Sequence, residues 1–459
     1  MIDKDIPAIL GGKKLVSKPL STRVTMGAEE KKAAIDVIDS DIMSAFIGAP
    51  GKHFLGGKKV VEFERAWAEK YGFKHAISVN SWTTGLMVAV GACGIEPGDE
   101  VICSPFTMSA SATSVLFYGG IPVFADISKD NFCIDPVSIE SKITNRTKAI
   151  LVVHIFGGPA NMDAIMEIAN KYDLKVIEDG AQSPGVFYKG KPVGAIGDIG
   201  GFSLNFHKHI HTGEGGMLVT NDDNIAFKAQ LIRNHGENYA DQLPKDQLSN
   251  IIGSNYRLTE IQAAIGVEQL KKLPGIIHHR NRLVDYLRKE LEQFPFLTIP
   301  NECETGSSHA FYLYPMRYNA EIAGITRGLF IKAVNAEYPI AEGYESVPLT
   351  EGYVKPLYLS PIYQEQIALG SKGFPFNYND GVRYNYDKGI CPVVEKMHSE
   401  EFICSPIVRE PLTIEDMKDL ISAIKKVYVG ASEIMKAFPD YHNTEVFSPV
   451  KAATEVKAR

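Results

Sequence analysis

The sequence has no excess of basic residues, no paired cysteines and no long apolar run. Its 48 Lys and Arg residues are outnumbered by 55 Asp and Glu, and the net charge of −7 does not recommend nucleic acid or an anionic membrane as a partner. The six cysteines form no CxxC pair, so neither a disulfide framework nor structural zinc is expected. The opening segment MIDKDIPAILGGKKLV carries acidic residues and only a short apolar run, which predicts a cytoplasmic chain without a signal peptide or membrane span.

The length and the order of apolar segments predict an α/β fold. A chain of 459 residues is too long for one ordinary core, so we expect a large domain followed by a smaller one. Helical patterns alternate with short apolar runs typical of a sheet covered on both faces. These runs are HAISV (75–79), EVICS (100–104), PVFAD (122–126), AILVV (149–153) and KVIED (175–179). The alternation indicates a mainly parallel sheet, in which ligands bind beyond the carboxyl ends of the strands.

Polar residues follow two of these predicted strands. The turn 80-NSWTTG-85 opens directly into a helix, and its free backbone N–H groups, with the hydroxyls of Thr83 and Thr84, would suit a phosphate group. The plainer interpretation of such a turn is a simple N-cap. Asp179 ends an apolar strand, where its carboxylate would either bond a protonated ring nitrogen or lie in solvent.

The segment 205-NFHKHIHTGEGG-216 has three possible interpretations. Alternate residues of an extended chain point to one face, so His207, His209 and His211 are spaced to offer imidazoles to zinc. Alternatively, Lys208 serves covalent chemistry, or the segment is a polar loop. A Schiff-base lysine, an acid for a pyridinium nitrogen and a phosphate seat are together what pyridoxal phosphate requires, which favours Lys208. We therefore predict no metal site here.

Several long motifs in this chain resemble the DegT/StrS-type (DegT/DnrJ/EryC/StrS) sugar aminotransferase family. They are 177-IEDGAQSPGVFYKGKPVGAIGDIGGFS-203, the segment ending HTGEGGML, 255-NYRLTEIQAAIG-266, 97-PGDEVICSPFTMSASA-112 and 153-VHIFGGPANMDAI-165. The similarity extends from about residue 8 to about residue 430. It implies the fold-type I aminotransferase architecture, with a mainly parallel seven-stranded sheet in the large domain and a smaller α+β C-terminal domain.

The resemblance also implies domain boundaries. We expect a large cofactor-binding domain with an N-terminal arm over residues 1–280. A small C-terminal domain is expected over 281–437, and a tail over 438–459. The small domain would contain an insertion rich in tyrosine at about 339–391.

The resemblance assigns the core of the cofactor site. Lys208 matches the family's Schiff-base lysine, and Asp179 matches the acid on the pyridine nitrogen. Gln182 matches the amide near the cofactor's 3′-oxygen, and Phe106 matches the aromatic that stacks on the ring. Lys208 and Asp179 are the predicted catalytic residues.

Further positions match contacts to the cofactor phosphate. Thr83 and Ser203 match phosphate ligands, and Thr84 is a neighbour of less defined role. Asn255 matches the asparagine that reaches the phosphate of the partner subunit, which implies a homodimer with shared active sites.

The chain departs from the family pattern at two places. Trp82 stands where the family commonly has Gly, and a large indole there would narrow the site or rearrange the turn. The Tyr-rich segment is longer than usual, and is either a lid that contacts a large substrate or a surface excursion packed on the small domain. Substrate contacts are predicted for Tyr344, Arg383 and His309, because rings, hydroxyls and charges on loops suit recognition of sugars or a nucleotide base.

The activity that the resemblance implies is transfer of an amino group from glutamate or glutamine to a keto sugar. We expect a nucleotide-linked acceptor used in lipopolysaccharide, capsule or other glycan biosynthesis, while a keto-octulosonate or keto-cyclitol stays open. The family's sugar 3-dehydratases, which use pyridoxamine phosphate, carry histidine at the position of Lys208. A non-catalytic, cofactor-binding regulator is a third alternative, which the intact Lys208, Asp179 and Gln182 argue against.

Overall fold

A computed structural model of the chain describes residues 6–301, 303–339 and 347–441. The strands are β1 (His75–Val79), β2 (Glu100–Cys103), β3 (Ile121–Phe124), β4 (Thr147–Val153), β5 (Lys175–Asp179), β6 (Phe187–Tyr188), β7 (Lys191–Pro192), β8 (Ile199–Ser203), β9 (Gly216–Thr220), β10 (Leu297–Thr298), β11 (Tyr314–Tyr318), β12 (Thr350–Glu351) and β13 (Phe402–Ser405). The α-helices are α1 (Ala28–Asp39), α2 (Lys58–Tyr71), α3 (Trp82–Ala92), α4 (Ala110–Leu116), α5 (Pro136–Ser141), α6 (Met162–Tyr172), α7 (Asp223–Arg233), α8 (Glu260–Leu291), α9 (Ala320–Ala323), α10 (Arg327–Ala336), α11 (Pro361–Gln364), α12 (Pro392–Lys396), α13 (Ile414–Val429) and α14 (Ala431–Ala437).

The large sheet has seven strands in the order β1-β9-β8-β5-β4-β2-β3. Strand β9 is antiparallel to both of its neighbours, and the remaining pairs are parallel. Apolar side chains fill the interior strands, with Ile150, Leu151, Val176 and Ile177 fully buried, as expected when helices cover both faces. The predicted mainly parallel seven-stranded sheet is confirmed.

A second, smaller sheet is entirely antiparallel and has the strand order β10-β11-β13-β12. Its apolar face packs with helices α10 and α13 in a separate core that includes Tyr314, Phe330 and Leu420. This arrangement corresponds to the smaller α+β C-terminal unit predicted from the sequence.

The long helix α8 connects the two cores. It begins at Thr259, whose hydroxyl accepts the backbone N–H of Gln262. Its first half packs in the large core through Leu270 and Leu273, and its last turns pack in the smaller core. The predicted domain boundaries stay a prediction, and residue 280 falls inside this continuous helix.

The Tyr-rich segment packs differently from the expectation that it lies on the small domain. Only its start, at β12, pairs with the small sheet, whereas Tyr358, Tyr363 and Tyr386 are buried in the large core. Their ring centroids lie 5.1–5.9 Å from that of Phe124 on β3. The reason is that β3 is the edge strand of the large sheet, and these rings cover an edge that would otherwise face water.

Across the described ranges, no helix combines the length and apolar character needed to span a membrane.

Candidate active site

The predicted site residues converge at the carboxyl edge of the large sheet. Asp179 ends the central strand β5, and Ser203 ends β8. Lys208 lies in the loop that joins β8 to the antiparallel strand β9, so both ends of this loop are fixed at the same edge. Helix α3 begins there too, after β1. A parallel sheet thus brings together side chains that are far apart in the sequence.

Lys208 is buried, and its amine faces an aromatic ring. The side chain is 9% exposed, and Nζ lies 4.5 Å from the centroid of the Tyr312 ring. Burial lowers the pKa of Lys208 to about 8; the charge of Asp179 opposes this shift, and that of Arg23 adds to it. A lysine with a lowered pKa has a larger neutral fraction near neutral pH, and the neutral amine is the nucleophile.

The histidines around Lys208 have separate partners. Nδ1 of His207 lies 2.8 Å from the Tyr312 hydroxyl, and Nε2 of His209 lies 2.9 Å from the carbonyl oxygen of Ala310. Burial lowers the pKa of His207 to about 3 and that of His211 to about 4, so both rings are neutral at pH 7. Among the described residues, no group of three or more His, Cys, Asp or Glu side chains is arranged to hold a metal ion.

Asp179 is almost fully buried, at 4% exposure, and both of its carboxylate oxygens accept hydrogen bonds. Oδ1 accepts from Nε1 of Trp82 at 2.7 Å and from the backbone N–H of Ala181 at 3.1 Å. Oδ2 accepts from the Ser111 hydroxyl at 2.7 Å. The indole of Trp82 was expected to narrow the site or rearrange the turn, but helix α3 begins regularly at this residue and the ring is directed to Asp179.

Gln182 and Phe106 share an aromatic wall. Oε1 of Gln182 accepts the backbone N–H of Phe156 at 2.6 Å, and Nε2 donates to the hydroxyl of Tyr353 at 2.7 Å. The buried Phe106 ring makes edge contacts with Tyr353 at 5.4 Å and with Phe402 at 5.3 Å between centroids. Both Phe156 and Tyr353 have positive φ angles, a strained conformation that tends to occur at functional sites.

The start of helix α3 has the features of both interpretations made from the sequence. Ser81 is the N-cap, and its hydroxyl accepts the backbone N–H of Thr84. The hydroxyl of Thr84 is within hydrogen-bonding distance of Oδ1 of Asn80, so it belongs to the cap. The Thr83 hydroxyl makes no hydrogen bond to any residue that the structure describes, and it is half-buried. Ser203 is buried beside this helix start.

Asn255 lies at the surface near the same helix start. Its carbonyl oxygen accepts from Nδ2 of Asn80 at 3.3 Å, and its Oδ1 accepts from Nε of Arg257 at 2.7 Å. The side chain is exposed. It therefore adjoins the site of its own chain and is also accessible to a second subunit.

The predicted substrate residues are not brought together. Tyr344 lies outside the described residues. Arg383 is exposed beside Tyr384, whose hydroxyl accepts from Asn379, and Asn379 donates to the carbonyl of Gly98, ahead of β2. This is the amino end of the sheet, opposite Lys208, so the structure separates Arg383 from the site.

His309 lines a cavity of about 330 Å³ on the far side of Phe156, together with Asn161 and Tyr188. Its ring stacks on Phe311 at 3.8 Å between centroids, and Nδ1 accepts the backbone N–H of that residue. Burial lowers the pKa of His309 to about 3. The ring is thus a neutral part of the wall between the small sheet and the site.

Four side chains at the site were not assigned to it from the sequence. They are Trp82 and Ser111 on Asp179, Tyr312 under Lys208, and Tyr353 on Gln182. Trp82 was visible as a departure from the family pattern, and Tyr353 as one of many tyrosines. Nothing in the local spacing of Ser111 or Tyr312 indicates which distant side chain each contacts.

These residues fit pyridoxal phosphate. The site offers a buried amine of lowered pKa, an ionisable acid held by donors, and a capped helix start with available N–H groups. The fold and the site thus define a fold-type I enzyme that uses this cofactor. The chain belongs to the DegT/DnrJ/EryC1/StrS aminotransferase family, whose family model matches residues 38–379. It is a pyridoxal-phosphate-dependent aminotransferase, as the sequence motifs predicted.

Individual relatives span most of the chain. The spore coat polysaccharide biosynthesis protein SpsC of Bacillus subtilis is 32% identical over 412 residues, which cover 88% of this chain and 96% of that protein. GDP-perosamine synthase of Caulobacter vibrioides is 41% identical over 310 residues, 67% of this chain and 79% of that protein. The X-ray structure of an aminotransferase from Psychrobacter cryohalolentis has a TM-score of 0.76 at 30% identity, covering 90% of this chain and 100% of that chain. The protein is thus a member of a family of sugar aminotransferases.

Proposed function

We propose that this enzyme transfers an amino group from glutamate or glutamine to a nucleotide-linked keto sugar in the biosynthesis of a surface glycan such as lipopolysaccharide or capsule. The observation that carries the proposal is the pair of Lys208 and Asp179, one buried amine and one buried carboxylate at the same sheet edge. The acceptor class is supported by the 41% identity to GDP-perosamine synthase. The cytoplasmic location stays a prediction.

Lys208 and Asp179 divide the chemical work. When bound, pyridoxal phosphate supplies a positively charged ring that draws electrons from the reacting carbon. Asp179 stabilises the positive charge of that ring through its own negative charge. Lys208 anchors the cofactor through Nζ and, once released, moves a proton at the same atom as general base and then general acid. The burial of Lys208 keeps water away from this nitrogen.

The phosphate is held at the start of helix α3 in this proposal. The helix dipole and the backbone N–H groups of its first turn attract an anion. Thr83 and Ser203 add hydroxyl donors, whereas the Thr84 hydroxyl stays with the cap of the helix. Gln182 and Phe106 enclose the ring from the side of Tyr353.

Tyr353 is our candidate for acceptor recognition, in place of Tyr344 and Arg383. It comes from the same Tyr-rich segment but lies at the site, with its hydroxyl on Gln182. Its backbone φ of 51° follows a glycine at 68°, so the chain is strained to present this ring. A phenol that combines a ring face with a hydroxyl suits a sugar or a base.

We also propose a homodimer with shared sites, in which Asn255 reaches the cofactor phosphate of the partner subunit. Large apolar side chains are exposed beside the site: Met108 is 55% exposed, Phe206 57% and Ile252 80%. These three residues flank Phe106, Lys208 and Asn255 in the sequence. A second copy that covers them would remove apolar surface from water and also close the site.

Half-reactions test the proposal. The purified holoenzyme is mixed first with glutamate, glutamine or alanine, while absorbance follows the cofactor and mass spectrometry follows the keto acid. We expect conversion with glutamate or glutamine. The amino form is then offered nucleotide-linked keto sugars, a keto-cyclitol and a keto-octulosonate. Amination of a nucleotide-linked keto sugar supports the proposal, whereas exclusive amination of another acceptor replaces the acceptor class.

The role of Tyr353 has its own comparison. Tyr353→Phe should weaken the acceptor half-reaction about tenfold, the scale of one hydrogen bond, with a smaller effect on the donor half-reaction. Tyr378→Phe is the matched control, because Tyr378 belongs to the same segment but is 54% exposed. Equal losses in both half-reactions would assign Tyr353 to the cofactor site instead.

The alternatives are separated by the same samples. A sugar 3-dehydratase would release a deoxy sugar and no aminated product, and a regulator would convert no donor. Lys208 supports the transaminase, because the dehydratase branch lacks a lysine at this position.

A further inference from the structure

The carboxylate of Asp179 is held by two side chains outside the predicted cofactor set. Nε1 of Trp82 and Oγ of Ser111 each lie 2.7 Å from a different carboxylate oxygen. Bonds to both oxygens fix the plane of the carboxylate, which a single bond would leave free to rotate. Trp82 is 5% exposed and Ser111 is 1% exposed, so water does not compete with them.

The direction of these hydrogen bonds follows from the donor inventory. An indole N–H only donates, and an ionised carboxylate only accepts. The Thr107 hydroxyl lies 3.1 Å from Oγ of Ser111. Because Ser111 gives its one proton to Asp179, Thr107 donates to Ser111. The result is a short relay, Thr107 to Ser111 to Asp179, that adds partial positive charge on the side of Oδ2.

The position of the Trp82 ring is built into the sheet. Helix α3 begins at Trp82 and lies against β8, where Gly201 leaves room for the indole. A Cβ on Gly201 would lie 2.5 Å from Cζ3 of Trp82, and a Cβ on Gly85 would lie 2.6 Å from Cε3. Two positions without side chains therefore admit the ring to Asp179. Trp82 is the residue that departs from the small amino acid common in the family.

We propose that Trp82 and Ser111 are positioning residues that hold the carboxylate of Asp179 in one orientation toward the ring of the cofactor. The proposal rests on the assignment of Asp179 in the proposed function. Trp82 and Ser111 act through Asp179, because their hydrogen bonds end on its carboxylate. Their loss leaves the acid present but free to turn, so it stabilises the positive charge on the cofactor ring less well.

The test uses holoenzymes of Trp82→Phe and Ser111→Ala. Trp82→Phe keeps an aromatic ring and removes the N–H, and Ser111→Ala removes one hydroxyl. The first readout is the ¹⁵N chemical shift of the cofactor ring nitrogen, labelled before reconstitution, which reports how far that nitrogen is protonated. The second is the pH midpoint of the absorbance change of the bound cofactor without substrate.

We expect both variants to move the ring ¹⁵N shift toward the neutral value. The absorbance midpoint should rise by about half a pH unit or more, because a less positive ring repels the proton on the neighbouring nitrogen less. Turnover should fall roughly 10- to 100-fold, as for a hydrogen bond to a charged group. A purely structural role would change stability without moving either spectroscopic value.

Matched controls exist for both variants. Trp67 is the other tryptophan of the chain, fully buried, with an indole N–H that makes no hydrogen bond to any described residue. Trp67→Phe should leave both readouts unchanged. Ser114 lies on the same helix as Ser111 and donates to a backbone carbonyl, so Ser114→Ala is the second control.

The outcomes separate this inference from the proposed function. If wild type binds the cofactor and converts an amino donor, but both variants keep the wild-type ¹⁵N shift and midpoint, the positioning role is wrong. If wild type itself fails to convert any donor, the proposed function fails first. Should Trp82→Phe not fold, Ser111→Ala alone decides, because it removes only one oxygen atom.

Discussion

Replacing Lys208 by methionine should stabilise the protein once the cofactor has been removed. The pKa of this lysine is lowered by burial from 10.5 to about 8, so the folded state holds its ammonium less readily than the unfolded state does. At pH 7 both states are protonated, and the difference costs about 3 kcal/mol of folding free energy. Methionine fills a similar volume without that cost.

The pH dependence distinguishes this cause from better packing. Between pH 8 and 10.5 the unfolded state binds more protons at this lysine than the folded state does, so wild-type stability gains relative to the variant as pH rises. The advantage of Lys208→Met should therefore be full below pH 8 and absent above about 10.5. An unfolding entropy of about 2 cal/mol/K per residue makes 3 kcal/mol equal to about 3 °C in Tm for a chain of this length.

Thermal melts of cofactor-free protein from pH 7 to 10.5 measure the effect. Lys129→Met is the control, because Lys129 is exposed and should show no comparable gain. A Tm difference for Lys208→Met that is independent of pH would refute the electrostatic reasoning. A lower Tm at pH 7 would show that the contact with the Tyr312 ring outweighs the cost of burial.

Three further predictions concern the site and its support. Asp179→Ala should retain some bound cofactor but lose about 4 kcal/mol or more of transition-state stabilisation, seen as a fall in kcat of several orders of magnitude. Mixing Lys208→Ala with Asn255→Ala dimers should restore activity if Asn255 acts across the interface, and no gain after proven subunit exchange would assign it to its own chain. Gly201→Ala should lower stability by about 3 kcal/mol, because its Cβ would lie 2.1 Å from a backbone oxygen of β9, whereas Gly275→Ala, with open space, should be nearly neutral in melts.

The sequence predicted the part of the fold that is written in local patterns. The runs at 75–79 and 175–179 coincide with β1 and β5, because a buried parallel strand is marked by continuous apolar residues and a polar end. Strand β8, IGGFS, was not recognised from its pattern, since glycine is depleted in strands and weakens the signal. Here the glycine serves the close approach of helix α3, which is a tertiary requirement.

The site was predictable where a residue type and a motif carry the chemistry, and not where a distant partner does. The motif around Lys208 names the lysine, but the Tyr312 ring beneath it comes from a segment about 100 residues away. Likewise, Asp179 was assigned as an acid, while its donors depend on how helices α3 and α4 lie on the sheet. Such contacts follow from packing and leave no periodic trace in the sequence.

The Tyr-rich segment shows why composition alone misassigned the substrate residues. Its tyrosines look alike in the sequence, yet the segment crosses the whole depth of the large sheet. Tyr353 meets Gln182 at the carboxyl edge, whereas Asn379 meets Gly98 at the amino edge and keeps Arg383 there. Between these ends, Tyr358 and Tyr386 cover the edge strand β3, a structural role that needs rings of any kind. Recognition should therefore be confined to the first part of the segment. Arg383→Ala should leave both half-reactions unchanged, and a selective loss in the acceptor half-reaction would mean that this surface reaches the substrate of a neighbouring subunit.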